Sequence, residues 1–337
     1  MKATKFALVT VLLLVVVMVL GACSSTTATT QVASTLEPTA VSEATAEVTA
    51  EATAEATAAG PGGNMGSSSE TESHYPEPVA LFEQYEYTDP ETGSTIPYNL
   101  YLPEGYDESE SYPLLIFVGD ASVNSDTVTD PLKQDGAAVW ATEEEQAKHK
   151  TIVLVPQYTN TLINSIGALV EDGYQWSEGL TLVSNLIFHV VEEYSVDENR
   201  IYGTGQSQGC MTTIAISDKY PDFYAAQLLV AGQWNTEEMS AMVDDHLWIV
   251  VCEGDTKAYP GMNEAVTNWE SLGACVATSE MWDSTSSAEG FDSLVADILS
   301  QNCNINYTVF EGGDHMYTWT VAYTIEGIRD WLFEQTK

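Results

Sequence analysis

A five-residue run, Gly205-Gln206-Ser207-Gln208-Gly209, carries the most direct chemical signal in the sequence. It follows an apolar, strand-like stretch at residues 201–204 and precedes a helix-like stretch at residues 211–216. A serine hydroxyl becomes a useful nucleophile when a tight strand-to-helix turn exposes its Oγ to a base and turns the helix N-terminus toward the developing oxyanion. The run therefore predicts a nucleophile elbow, with Ser207 as the nucleophile of an acyl transfer.

Two loops farther along the chain offer the carboxylate and the imidazole that such a serine needs. The apolar strand at residues 247–252 ends in Glu253-Gly254-Asp255, and a glycine-rich turn carrying His315 follows the strand that ends at residue 310. Asp255 is the predicted acid and His315 the predicted base, in the chain order nucleophile, acid, histidine. The competing carboxylates are Glu253, Asp283 and Asp292. The other histidines are interpreted as solvated or packed: His74, His149, His189 and His246.

The oxyanion of such a reaction needs two N–H donors, each contributing about 3 kcal/mol to the transition state. The backbone N–H of Gln208 is the first predicted donor. The second is expected in the loop after the strand at residues 114–118, from Ala121 or alternatively Asp120. Trp234 and Trp176 are predicted to form an aromatic rim suited to sugars, phenolic acyl groups or polyester chains. Ordinary packing is the alternative for both tryptophans.

Strand-like and helix-like segments alternate along the chain, which favours an α/β fold with a mostly parallel, doubly wound sheet. Ligands bind such sheets beyond the carboxyl ends of the strands, where all three predicted catalytic residues fall. The predicted strands are residues 96–102, 114–118, 151–155, 200–204, 226–231, 247–252 and 306–310. The predicted helices are residues 137–148, 178–194, 208–219, 263–272, 291–301 and 321–335.

The N-terminal quarter of the chain is unlike the rest. Residues 1–22 combine two lysines, a short apolar core and small residues before Cys23, the pattern of a secretory signal. They resemble a bacterial lipoprotein signal, which implies cleavage before Cys23, a lipid on its sulfur and a location on the outer face of the cell membrane. Residues 23–74 are rich in Thr, Ala and Glu and predict a disordered stalk. Residues 75–337 have the length of one catalytic domain.

The net charge of −40 argues against a nucleic-acid partner, because a polyanion would be repelled. Cys210 and Cys252 lie in apolar stretches and are predicted to be buried free thiols, whereas Cys275 and Cys303 are a candidate disulfide. No zinc motif occurs, and the acidic loop at residues 120–130 lacks regular calcium-ligand spacing. The sequence predicts neither a metal nor a cofactor.

Taken together, these motifs resemble the polyhydroxybutyrate-depolymerase-like and feruloyl-esterase-like branch of the α/β-hydrolases, including prolyl-oligopeptidase-like esterases described as predicted peptidases. The resemblance is carried by residues 96–103, 112–117, 199–202, 313–315, 319 and 330–333. It implies an α/β-hydrolase fold and a triad at Ser207, Asp255 and His315. Two departures stand out: Gly119-Asp120 replaces a family His-Gly or His-Asp, and Cys210 replaces the second glycine after the elbow.

The sequence favours a cell-surface serine carboxylesterase that cleaves acyl esters, either small or linked to a polysaccharide. One alternative is a serine peptidase of the prolyl-oligopeptidase type, which uses the same triad. Another is a non-catalytic surface-binding lipoprotein that keeps the hydrolase fold. The intact set of Ser207, Asp255 and His315 speaks against the second alternative.

Overall fold

Nine strands form a single mixed sheet in the computed structural model, which describes residues 73–337. The predicted signal, Cys23 and all but the last two residues of the predicted stalk lie outside the described residues. The strands are β1 (Glu83–Thr88), β2 (Thr95–Tyr101), β3 (Tyr112–Val118), β4 (Ile152–Pro156), β5 (Val196–Gln206), β6 (Ala226–Val230), β7 (Leu247–Cys252), β8 (Val276–Thr278) and β9 (Ile305–Phe310).

The sheet has the order β1-β2-β4-β3-β5-β6-β7-β9-β8. β2 pairs antiparallel with both β1 and β4, and every other pair is parallel. Parallel strands put their carboxyl ends at one edge of the sheet, so the loops after β5, β7 and β9 emerge on the same side. This is the arrangement predicted from the alternating strands and helices, and it is confirmed.

Helices cover both faces of the sheet. The α-helices are α1 (Pro76–Val79), α2 (Asp135–Ala138), α3 (Glu143–Lys148), α4 (Asn160–Ile166), α5 (Glu178–Glu193), α6 (Gln208–Lys219), α7 (Ala258–Ser271), α8 (Ala288–Leu299), α9 (Tyr317–Ala322) and α10 (Glu326–Glu334). Short 3-10 helices lie at Ala121–Val123, Asp130–Lys133, Val139–Ala141 and Glu238–Met242. α5, α6 and α7 pack on one face, and α8, α9 and α10 on the other.

Two apolar cores result, one on each face of the sheet, and β3 shows why. All seven of its residues are buried. Leu114 and Ile116 belong to the core under α5 and α6, whereas Leu115 and Phe117 belong to the core under α10. Successive side chains on a strand point to opposite faces, so a strand covered on both faces is apolar throughout. The central strands were predictable from sequence for this reason.

Several predicted boundaries were wrong. The helix predicted at residues 137–148 is interrupted at Thr142, whose hydroxyl accepts the N–H of Glu145 and starts α3 as a new helix. The helix predicted at residues 321–335 is two helices, because the chain turns at residues 323–325, where the carbonyl of Tyr323 accepts a hydrogen bond from Arg329. The strands β1 and β8 and the helix α4 were not predicted.

Three further observations concern residues 73–74, the four described cysteines and the helices. Ser73 and His74, the last two residues of the predicted stalk, hydrogen-bond the buried carboxylate of Asp135. Cys275 and Cys303 form the disulfide, and the other two described cysteines are buried free thiols, as predicted. Within residues 73–337, none of the helices has the length and apolar character needed to cross a membrane.

Candidate active site

Ser207 occupies the sharp turn between β5 and α6. Its backbone has φ 52° and ψ −114°, in the left-handed region that residues with a side chain seldom adopt. Its N–H is held by the carbonyl of Val230 on the neighbouring strand, at 3.1 Å. The strained backbone leaves the Oγ half-buried at the start of α6, and such strain is typical of a functional turn.

The elbow fits only because Gly209 has no side chain. A Cβ at this position would lie 1.8 Å from the carbonyl oxygen of Val118, at the end of β3. The first turn of α6 therefore lies directly against the carboxyl end of β3. This contact brings the loop that follows β3 next to the serine.

His315 and Asp255 complete a chain of hydrogen bonds with the serine. His315 Nε2 lies 2.8 Å from Ser207 Oγ, and His315 Nδ1 lies 2.5 Å from Asp255 Oδ2. The imidazole comes from the turn between β9 and α9, and the carboxylate from the turn between β7 and α7. The structure thus brings together the three side chains that the sequence singled out, from three neighbouring loops at one edge of the sheet.

Asp255 is built to remain an anion. Its side chain is 2% exposed, and its second oxygen, Oδ1, accepts the N–H groups of Lys257 and Ala258, both at 2.9 Å, at the start of α7. Burial alone raises the pKa of Asp255, but the hydrogen bonds from His315 and from these two N–H groups outweigh it and lower the pKa below 3.8. Asp255 can therefore orient the imidazole and stabilise its positive charge.

The other candidate carboxylates have different partners. Glu253 accepts the N–H of Gly312, and Asp283 caps its own turn through Thr285. Asp292 is exposed on α8. His315 itself packs edge-on against Trp319, with 5.2 Å between the ring centroids. Trp319 was not predicted to lie at the site, although its position four residues after His315 was a usable signal.

The two backbone donors predicted for the oxyanion both lie at helix starts. Gln208 is the first residue of α6, and Ala121 is the first residue of the 3-10 helix after β3. The N–H of the alternative donor, Asp120, points instead toward the side-chain oxygen of Gln134, at 3.4 Å. N–H groups in the first turn of a helix have no intrahelical partner, so Gln208 and Ala121 are free to meet an anion.

The Asp120 carboxylate, one of the two departures from the family that the sequence resembles, anchors this loop. It is buried and accepts hydrogen bonds from the side-chain amides of Gln134 and Gln206 and from the N–H of Ser122. Cys210, the other departure, fits because Gly232 faces it. A Cβ on Gly232 would lie 2.5 Å from Cys210 Cβ. Burial raises the pKa of Cys210, so the thiol stays neutral.

The two tryptophans predicted for the rim differ in outcome. Trp176 packs against Tyr220 and Lys219 at the end of α6, a helix of 12 residues and so about 18 Å long that begins directly after Ser207. Its indole N–H donates to Thr181. The structure therefore places Trp176 beside the end of α6 that is opposite Ser207.

Trp234 forms the wall of a cavity of about 550 Å³. It is 4% exposed, its indole N–H donates to Glu238, and its ring meets Tyr174 edge-on at 5.4 Å. The cavity adjoins the loop that carries Asp255, because Lys257 on its wall lies two residues after Asp255. The place of half-buried Tyr174 in this cavity was not predicted. Its position two residues before Trp176, which was a candidate for the rim, was the available signal.

One group of described residues has the composition of a metal site. Glu145, His149 and Asp330 offer ligand atoms within 4.8 Å of one another. Arg329 already pairs with Glu145, at 2.6 Å, and His149 pairs with Asp330, at 2.8 Å. Glu145 lies on α3, His149 directly follows that helix, and Arg329 and Asp330 lie on α10. These contacts therefore involve none of Ser207, His315 and Asp255.

Comparison with known proteins finds esterases among the similar chains. No family model matches the chain. Acetylxylan esterase A of Emericella nidulans is 26% identical over 131 residues, which cover 33% of this chain and 42% of that protein. The crystal structure of a thermostable esterase matches with a TM-score of 0.63 and 25% identity, covering 77% of this chain and 64% of that one. The feruloyl esterase module from Clostridium thermocellum, complexed with sinapinate, matches with a TM-score of 0.50 and 15% identity, covering 75% of this chain and 88% of that one. The chain thus spans less than half of the curated relative.

Proposed function

We propose that this chain, which has the α/β-hydrolase fold, is a serine carboxylesterase. The observation that carries the proposal is the continuous hydrogen-bond chain from Ser207 Oγ through the His315 imidazole to the buried Asp255 carboxylate, at 2.8 and 2.5 Å. The strained backbone of Ser207 supports it, because such strain persists where function requires it. The esterases among the similar proteins support the same reaction class.

In the proposed reaction Ser207 Oγ attacks the acyl carbon while His315 Nε2 takes the hydroxyl proton. The carbonyl oxygen becomes an oxyanion held by the N–H groups of Gln208 and Ala121. The C–O bond to the alcohol then breaks, and His315 returns the proton to the departing oxygen. Water attacks the acyl-enzyme with His315 again as base, which releases the acid and restores Ser207.

We propose acyl groups on a polysaccharide, or on small alcohols of similar chemistry, as the substrates. The relative named acetylxylan esterase supports this choice. The cavity beside the catalytic loops supports it too, because Tyr174 and Trp234 offer aromatic surface and Gln233 and Asn235 offer amides, the groups that recognise a sugar ring. Its volume of about 550 Å³ is in the range of pockets for small ligands.

One observation favours a second candidate, a serine peptidase. Glu237 and Glu264 line the same cavity, and a pair of carboxylates can bind the amino terminus of a peptide. A dipeptide 4-nitroanilide tests this alternative directly. Cleavage of this amide faster than 4-nitrophenyl acetate would replace the esterase proposal with the peptidase.

The lipid anchor stays a proposal based on sequence. The signal pattern before Cys23 and the long polar stalk support a chain held at the outer face of the cell membrane. Labelling of expressing cells with radioactive palmitate is expected to mark the wild type and not a Cys23→Ser variant. Equal labelling of both would contradict the anchor at this residue.

The reaction is tested with 4-nitrophenyl acetate and butyrate, using the full chain and its Ser207→Ala variant. We expect the variant to lose at least about 10⁴-fold in kcat, because the nucleophile is gone. Ser293→Ala, at an exposed serine of α8, is the matched control and should keep full activity. An inactive wild type, or an active Ser207→Ala variant, would contradict the proposal. An acetylated xylan and a feruloyl ester then distinguish the acyl groups.

A further inference from the structure

The loop that supplies the second oxyanion donor is held by side-chain amides. Gln157 donates from one nitrogen toward three carbonyls of this loop, those of Val123, Ser125 and Thr127, at 2.9, 2.7 and 3.2 Å. Asn99 donates to the carbonyl of Val128, at 2.8 Å. These bonds fix the outer part of the loop. They do not by themselves fix its distance from the serine.

Two side-chain contacts join this loop to the elbow. At its start, Gln206 Nε2 donates to the Asp120 carboxylate at 2.8 Å, and the second contact lies farther along the loop. The side chains of Asn124 and Gln208 form a reciprocal amide pair, with Asn124 Nδ2 donating to Gln208 Oε1 at 3.0 Å and Gln208 Nε2 donating to Asn124 Oδ1 at 3.1 Å. Gln208 is buried, and Asn124 is half-buried. Two bonds in a ring fix both the distance and the orientation of the two amide planes, which a single bond would not.

Both partners are linked through the backbone to the predicted donors. Gln208 carries one donor on its own N–H. Asn124 closes the 3-10 helix that begins with the other donor, because the N–H of Asn124 donates to the carbonyl of Ala121, at 3.3 Å. A chain of hydrogen bonds therefore runs from the Gln208 side chain, through Asn124, to the carbonyl of Ala121, the residue whose own N–H is the other predicted donor.

We propose that Asn124 is a positioning residue that sets the spacing of the oxyanion donors through its amide pair with Gln208. The inference rests on the proposed esterase reaction. Donors stabilise an oxyanion only when they lie about 2.7–3.1 Å from the place where its charge develops. A small displacement of Ala121 therefore reduces the stabilisation of the transition state and leaves ground-state binding of the substrate unchanged. The expected signature is a lower kcat with an unchanged KM.

The test compares Asn124→Ala, Gln208→Ala and the double variant with the wild type, on 4-nitrophenyl acetate. Gln208→Ala keeps the backbone N–H and removes only the side-chain pair. We expect each single variant to lose about 10-fold in kcat, a part of the 10²–10³-fold that loss of a whole donor costs. The double variant should lose no more than either single variant, because both remove the same contact. Asn185→Ala, an amide on α5 paired with Asp89 and Glu91, is the matched control.

A trifluoromethyl ketone gives a second readout, because its adduct with Ser207 carries the oxyanion. Its inhibition constant should rise by the same factor as kcat falls, whereas inhibition by a product carboxylic acid should not change. Thermal melting separates this role from a purely structural one, which would lower the melting temperature and leave kcat intact.

Three results would overturn the inference. A kcat unchanged in Asn124→Ala contradicts it while the esterase proposal stands. A much larger loss in Asn124→Ala than in Gln208→Ala assigns the Asn124 amide directly to the oxyanion and contradicts a positioning role. A wild-type protein that hydrolyses no ester removes both this inference and the proposed function.

Discussion

Replacing Asp255 by asparagine is expected to abolish most activity while leaving the fold intact. Asp255 Oδ1 accepts two backbone N–H groups, those of Lys257 and Ala258, and Oδ2 faces His315 Nδ1. In Asp255→Asn the amide oxygen must take the Oδ1 position, because an NH₂ group there would face two donors. The NH₂ group therefore points at Nδ1 of the imidazole.

That orientation of the amide changes the tautomer of the His315 imidazole. With an N–H donor facing it, Nδ1 must be the unprotonated nitrogen, and the proton moves to Nε2. Nε2 then faces Ser207 Oγ as a donor and cannot take the hydroxyl proton. The same change in the chymotrypsin-type triad lowers kcat about 10⁴-fold. At 1.36 kcal/mol for each factor of ten, the expected rise of the barrier is about 5.5 kcal/mol.

The assay is the kcat for 4-nitrophenyl acetate together with thermal melting of each variant. Asp283→Asn is the matched control, because Asp283 also accepts a backbone N–H two residues ahead, that of Thr285, and was a competing candidate for the acid. It should keep full activity, as should Glu253→Gln. A loss of less than about 10-fold in a folded Asp255→Asn, or an equal loss in either control, would refute the argument.

Further predictions concern stability. Ser207→Gly should raise the free energy of unfolding by about 1 kcal/mol, because glycine adopts φ 52° without strain, and Ser207→Ala should give no such gain; equal melting temperatures of the two would contradict the strain. Gly209→Ala should cost about 3 kcal/mol or prevent folding, because its Cβ would lie 1.8 Å from a carbonyl oxygen, whereas Gly173→Ala meets nothing within 4 Å and should be neutral by the same denaturation assay. Burial, with Glu238 nearby, raises the pKa of Asp218 from 3.8 to about 6. Ionised Asp218 therefore destabilises the fold, and this loss of stability develops as the pH rises from about 4 to about 6. Asp218→Asn should therefore raise the melting temperature by about 2 °C at pH 7.5, allowing for solvent screening, and not at pH 4; a pH-independent gain would contradict this linkage.

The central part of the fold was predictable because a strand that is buried on both faces needs a continuous run of apolar residues. β3 and β7 are continuous apolar runs, and β7 begins and ends at its predicted residues. The elements at the edges left weaker signals. β1 is mostly exposed, and β8 is three residues long, so neither needs an apolar run. The two helices predicted too long were broken by capping and a tertiary hydrogen bond, at Thr142 and Tyr323.

Some residues of the candidate site could likewise be predicted from the sequence, and others could not. Ser207, Asp255 and His315 could be found in the sequence because their strand-end positions and chain order carry the information, and because few histidines compete. The positions of the tryptophans could not be predicted, because the sequence around an aromatic residue does not show whether it packs in the interior or lines a cavity. Trp176 packs at the far end of α6, whereas Trp234 lies in a cavity wall.

By itself the sequence determined the order of strands and helices along the chain and pointed to Ser207, Asp255 and His315, because both depend on local patterning. Only the tertiary structure decided how these residues are held. The close approach of Gly209 to β3, the two backbone bonds to Asp255 and the pair between Asn124 and Gln208 join segments that are distant in the chain. Their distances follow from how the loops pack, and no local pattern in the sequence specifies them.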